Sequence, residues 1–187
     1  GMVGVICVLP IQKFIQTHIG SPESQLVLWA SAEEIIKYLA VLLVLYRTSY
    51  IDEPIDWPIY MITAALGFAA LENVFFLIKP LEMGQNTVGL LTGQFRFLGS
   101  TLLHAVSSGI LGIALGISLH IEGLKRKWYL IVGLILAIAL HSVFNFFIIK
   151  IKVDDGNYFL ELLKVFGFLW VVTIIIMLLF EKLRRMN

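Results

Sequence analysis

Glu33-Glu34 with Lys37, Glu72-Asn73, His104, and His141 with Asn145 are the residues of this chain whose types and spacing could do chemistry. Each lies within a long apolar stretch. An ionisable side chain there costs on the order of 2.5–3.5 kcal/mol on insertion scales, so it must face a protein interior or a wet cavity. Glu33 and Lys37 are four apart with the acid first, the better order for an ion pair within one helix. Glu34, about 100° further round that helix, is then left to face a cavity. His141 and Asn145 share a helix face, as do Phe68 and Glu72. Two histidines with a carboxylate could bind a catalytic metal, leaving a second carboxylate to take a proton from bound water. Alternatively a buried glutamate could activate water directly, with histidine and asparagine donating to the developing oxyanion. Both routes hydrolyse an amide, and both need water admitted a short way into a membrane.

Other protease chemistries find less support. The sequence holds no His-Glu-x-x-His, and Asp52, Asp56, Asp154 and Asp155 all fall in expected loops, against an intramembrane aspartyl pair. Ser107-Ser108 near His104 could offer a nucleophile, but such serines usually bond a backbone carbonyl one turn back. His18 and His120 read as interface histidines.

These residues must be positioned by helices in lipid. Of the 187 residues 59% are hydrophobic and 14% charged, with mean hydropathy +0.90, too few charges for the surface of a small soluble domain. The formal charge of +1 gives no basic field for nucleic acid, and Cys7 alone makes neither an internal disulfide nor a thiolate metal cage. A bilayer core about 30 Å thick takes roughly 20 apolar residues of helix. Five stretches qualify: Leu26–Tyr46, Trp57–Ile78, Phe97–Leu119, Trp128–Ile149 and Tyr158–Phe180. The expectation is an all-α polytopic membrane helix bundle with five clear spans and a short sixth N-terminal helix as an option.

Residues 1–25 form a short apolar or interfacial segment and 26–187 the transmembrane domain. Gly1 before Met2 has the look of a tag-removal scar, and Met2–Ile19 lacks a signal peptide's basic start and cleavage site. Ser108, Gly112 and Gly116 lie four apart, a stripe expected to pack helices closely. Arg47, Lys125-Arg126-Lys127, Lys182, Arg184 and Arg185 share one side, which the positive-inside rule makes cytoplasmic. The Gln85 and Asn157 loops then face outward. With helix directions alternating, Glu33, Glu34, Glu72, His104, His141 and Asn145 fall in one leaflet, one to two turns below those loops.

Glu33-Glu34-Ile35-Ile36-Lys37 resembles an EExxK motif, Phe68 to Glu72-Asn73 an FxxxEN motif, and His104 followed by His141 to Asn145 a His and an HxxxN motif. Together and in this order they resemble the PrsW family of intramembrane proteases, relatives of the CAAX prenyl endopeptidases. The resemblance spans about residues 26–150. It implies that Glu33 and Glu34 supply a general base and its support, with Lys37 and Asn73 assisting. Glu72, His104 and His141 would bind or polarise the attacking water, or hold zinc or another divalent metal, and Asn145 would help hold the oxyanion. It further implies a single-span membrane protein as substrate, in the family's best-known case an anti-sigma factor cut during envelope-stress signalling. The enzyme would sit in a prokaryotic cell membrane with its site facing outward. The lead before the first motif is shorter than the family's, and Tyr158–Phe180 carries no motif, so packing or substrate gating is its expected role. Competing readings are a proton-coupled transporter or channel, whose relay should reach both faces, and an inactive module that binds a partner helix.

Overall fold

The computed structural model describes residues 1–45, 48, 50–82, 87–151 and 157–186, with residues 77, 79–82 and 87–96 described in backbone only. The Met83–Asn86 and Asp154–Gly156 connections, Tyr46, Arg47, Lys152 and the Lys79 and Arg96 side chains therefore lie outside the described residues. Six helices follow one another: α1 Met2–His18, α2 Pro22–Leu45, α3 Asp56–Glu82, α4 Thr87–Ile117, α5 Leu124–Lys150 and α6 Tyr158–Arg184. No strand occurs among the described residues. The expected all-α bundle is what forms.

Helices α3, α4, α5 and α6 each contain a segment long and apolar enough to cross a membrane. With 24 residues, α2 is about 36 Å long at 1.5 Å per residue. It is long enough to cross, but Glu33, Glu34 and Lys37 in its middle make it less apolar than the others. Lipid is also the solvent implied by the outer surface. Leu43, Leu98, Ile135, Leu163, Met177 and Leu178 are all more than half exposed, an apolar exterior that a soluble monomer rarely tolerates.

The punctuation is local chemistry. Ser21 and Pro22 open α2: the Ser24 amide donates to Ser21 Oγ at 3.4 Å, and proline at the first helical position lacks an N–H that would have no partner there. Asp56, expected in a loop, opens α3 instead. Its Oδ2 accepts from the backbone N–H groups of Asp52 at 3.2 Å and Glu53 at 2.9 Å, gathering the turn that precedes the helix. The helices also outrun the apolar windows: α3 continues to Glu82, and α4 begins at Thr87, ten residues before its expected start. Backbone hydrogen bonding carries a helix through polar residues that hydropathy counts against it.

Packing is closest where side chains are smallest. A Cβ at Gly112 would meet the backbone of Pro58, and one at Gly116 would meet the Pro54 carbonyl, so α4 lies directly on the start of α3. Two of the three stripe residues therefore pack as expected. Around this contact Trp57, Met61, Leu111, Leu115 and Ala137 form one core, and Leu103, Val106, Phe144, Val165 and Leu169 join α4, α5 and α6 in another. Helix α1 is not detached: Val5 and Val8 are buried with Phe68 of α3, flanked by Ala32 and Ile36 of α2.

Candidate functional site: a buried carboxylate–imidazole cluster

Glu34 is the centre of the cluster, and it is fully engaged. Its Oε1 accepts from Lys37 Nζ at 2.5 Å, Ser107 Oγ at 2.9 Å and His141 Nδ1 at 2.8 Å, while Oε2 accepts from Ser108 Oγ at 2.9 Å. The expected Glu33–Lys37 pair is thus not the one that forms. Lys37 takes Glu34, three residues back. Spacings of three and four are both neighbours on a helix, and three further donors from α4 and α5 fix which carboxylate turns inward. Lys37 is fully buried, and its Nζ also lies 5.4 Å from the centroid of the Phe68 ring. That gives the phenylalanine of the FxxxEN pattern a cation–π role.

Ser107 and Ser108 are donors to Glu34 rather than nucleophiles. Ser107 makes only a longer contact, 3.3 Å, to the His104 carbonyl. The stripe reading of Ser108 as a packing residue is therefore incomplete. Their signal in the sequence was two hydroxyls one turn after His104, on the helix facing Glu34.

Partner chemistry assigns the two imidazoles opposite roles. Lysine can only donate, so Lys37 Nζ, 3.1 Å from His104 Nδ1, makes that nitrogen an acceptor. A neutral His104 then carries its proton on Nε2 and donates it to Glu72 Oε2 at 2.7 Å. His141 is reversed. Its Nδ1 donates to the Glu34 carboxylate, and in the neutral ring the lone pair is then on Nε2, 3.5 Å from Glu33 Oε2. The two rings meet edge to face with centroids 4.9 Å apart.

Glu33 differs from Glu34 in having a spare oxygen. Its Oε1 accepts from Gln12 Nε2 of α1 at 2.8 Å, whereas the buried Oε2 has no hydrogen-bond partner among the described residues. A carboxylate oxygen and an imidazole lone pair facing each other across 3.5 Å are two acceptors in want of something electropositive. Glu33, His104 and His141 offer ligand atoms that all lie within 4.8 Å of one another. Two imidazole nitrogens with one carboxylate oxygen are a donor set suited to zinc, and Glu34 behind His141 is the outer carboxylate that orients such a ligand. The residues fit a divalent metal once His104 releases one ring nitrogen from Lys37 or Glu72. Glu72, expected in that set, stands outside it: it holds His104 and accepts a 3.4 Å contact from Ser100 Oγ. Glu33 takes its place because α2 brings it inward beside His141.

The remaining expected residues lie at the margin. Asn73 Nδ2 donates to Thr101 Oγ1 at 3.1 Å, tying α3 to α4. Asn145 is half-buried one turn after His141, and no hydrogen bond to its side chain occurs among the described residues. Gln12 was not foreseen, since a single glutamine in a helix outside every motif gives no periodic signal. The depth also differs from expectation. Glu33, Glu72 and His141 lie 9–11 residues from the nearest ends of their helices, about 14–16 Å or three turns. The extended helix ends put them deeper than one to two turns.

A multi-helix membrane protein with an acidic and imidazole cluster buried between its helices is the class that fold and site define. The chain belongs to the PrsW family of intramembrane metalloproteases, whose family model matches residues 1–180. It is 31% identical to a protease PrsW of Geobacillus kaustophilus over 79% of this chain and 64% of that protein. To one of Oceanobacillus iheyensis it is 28% identical over 100% of this chain and 80% of the relative. To one of Bacillus subtilis it is 27% identical over 90% and 74%. The chain thus spans less than two thirds of the length of the first of these relatives. No solved structure matches it.

Proposed function

We propose that this chain is an intramembrane endopeptidase that hydrolyses a peptide bond of a membrane-anchored protein near the extracytoplasmic face of a bacterial cell membrane. A single-span protein is the substrate class, and the first cut of an anti-sigma factor is the role that the family resemblance suggests. Residues 26–187 are the protease-like domain in this reading, and residues 1–25 supply the helix that packs on it. The observation that carries the reading is Glu33 Oε2, a buried and unpartnered carboxylate oxygen opposite the free Nε2 of His141. Glu34, whose two oxygens already accept four hydrogen bonds from protein side chains, is the supporting carboxylate.

In the proposed reaction a water between Glu33 and His141 gives a proton to Glu33 as its oxygen attacks the scissile carbonyl carbon. Negative charge develops on the carbonyl oxygen, and the Asn145 amide, one turn after His141 on α5, is the donor assigned to it in this reading. The carbon–nitrogen bond then breaks, and Glu33 returns the proton to the departing amine nitrogen. Glu34, with Lys37, Ser107 and Ser108, keeps His141 in the tautomer this requires, and Glu72 keeps the His104 ring in place. A divalent ion held by Glu33, His104 and His141 would supply Lewis-acid polarisation of water or carbonyl.

The test is cleavage of a single-span substrate in proteoliposomes. Glu33→Gln and His141→Ala, each accumulating to wild-type levels in the membrane, are expected to lower kcat by about 10²–10⁴, the usual contribution of a positioned acid–base group. Undiminished cleavage by Glu33→Gln would end the assignment, with or without loss in His141→Ala.

A further inference from the structure

Helix α1 carries none of the motif residues, yet it reaches the centre of the cluster. Gln12 Nε2 donates to Glu33 Oε1 at 2.8 Å. A carboxylate only accepts, so the amide must present its NH₂ group to it. The bond leaves Glu33 Oε2 as the one oxygen turned toward His141. Gln12 is itself held: Trp29 Nε1 of α2 donates to the Gln12 backbone carbonyl at 3.2 Å. On the same helix Val5 and Val8 are buried against Phe68, and a Cβ at Gly4 would come within 3.0 Å of Ile36. The seat of α1 therefore fixes where the amide lies, and the amide fixes the rotation of the Glu33 carboxylate.

We propose that Gln12 is a positioning residue of the hydrolytic site, holding the Glu33 carboxylate with one oxygen bound and the other aimed at the reacting water. This rests on the reading of Glu33 as the base. It gives α1 a part in catalysis beyond anchoring. A glutamine suits the task because its neutral amide directs one oxygen without adding a charge that would compete with Lys37 for the carboxylates. A purely structural role would stabilise the α1–α2 contact and leave turnover untouched.

The experiment compares wild type with Gln12→Met, which keeps length and removes the donor, and Gln12→Leu, which keeps the branched shape and also removes it. Gln16→Met, exposed and one turn further along α1, is the control. Hydrogen bonds to charged groups are worth enough to expect kcat to fall by about 10- to 100-fold in both Gln12 variants. KM should stay within about twofold, the measure of unchanged ground-state binding, and Gln16→Met should match wild type. Unchanged kcat in either well-folded Gln12 variant overturns the proposal, as does a change confined to KM. A readout independent of turnover is a cross-link between Gln12→Cys and Glu33→Cys in a Cys7→Ser background. It should form in membranes with a flexible bis-thiol-reactive reagent, since a disulfide bridges only Cα atoms within about 7 Å, and its absence overturns the juxtaposition even if the other variants fail to fold. Glu33→Gln run in parallel separates the two claims. Full activity there sinks the proposed function itself, whereas loss there with wild-type kcat in the Gln12 variants sinks only this inference.

Discussion

Replacing Lys37 by methionine tests the electrostatic centre of the cluster. The ammonium is fully buried, 2.5 Å from Glu34 Oε1 and 3.1 Å from His104 Nδ1. Methionine fills nearly the same volume, so little cavity forms, and the loss falls on the uncompensated Glu34 charge. Breaking a buried pair from one side costs about 3–5 kcal/mol. For a chain of this size each kcal/mol moves the thermal midpoint by about 2–4 °C, so Lys37→Met should melt about 6–20 °C lower. Glu34→Gln strands the ammonium instead and should cost a similar amount. The pair of variants together removes both charges and leaves neither stranded, so Glu34→Gln/Lys37→Met should be less damaging than the sum by at least about 2 kcal/mol. Midpoints in one detergent, for all four proteins, decide it. If the double variant equals the sum of the singles within about 0.5 kcal/mol, the pair is not coupled and the account of Glu34 as the fully engaged support fails. Lys37→Met should also abolish cleavage, because His104 Nδ1 loses the donor that sets its tautomer.

Two further outcomes follow from the same geometry. Prolonged dialysis against a strong chelator should abolish cleavage, with zinc restoring it and released metal detectable by elemental analysis; full cleavage with no metal released would leave the carboxylate route alone. Gln85→Cys in a Cys7→Ser background should react with an impermeant thiol reagent on intact cells, as the positive-inside count requires, and labelling only after lysis would reverse the proposed sidedness.

The convergence of Glu33, Glu34, Glu72, His104 and His141 was legible because it depends on helix direction and rise, which apolar length alone supplies. Which atoms meet was not. Helical spacing permits Lys37 to take either glutamate, and the choice is made by Ser107, Ser108 and His141, which come from other helices. The same ambiguity hid which glutamate stands near both imidazoles: Glu72 reaches His104, whereas the packing of α2 against α5 brings Glu33 near the two rings together. Depth was misjudged for a different reason. Hydropathy marks where a helix leaves apolar sequence, not where its backbone hydrogen bonds stop, as α3 and α4 show. Gln12 had no signal at all, since its role depends on the packing of α1 and not on any pattern within it.

The charge inventory explains why such a cluster can persist in a low-dielectric interior, and what it demands. Glu33, Glu34 and Glu72 surround one ammonium, Lys37, and the two imidazoles are held between these groups by hydrogen bonds. With all three carboxylates ionised and both imidazoles neutral, two negative charges would be left without a counter-charge in a region where an unpaired ion costs several kcal/mol. They are not left at random positions. Glu34 and its donors are saturated, so the shortfall is concentrated at Glu33 Oε2 and at Glu72, on the side where His141 presents a lone pair. A divalent cation among Glu33, His104 and His141 supplies two positive charges where the shortfall lies, and so do protons taken up by the same groups. Either neutralising species is one that amide hydrolysis can use, as a Lewis acid in the first case and as the proton delivered to the leaving nitrogen in the second. The arrangement that makes the cluster tolerable in a membrane is therefore the arrangement that makes it reactive, and variants that neutralise Glu33 should gain stability as they lose turnover.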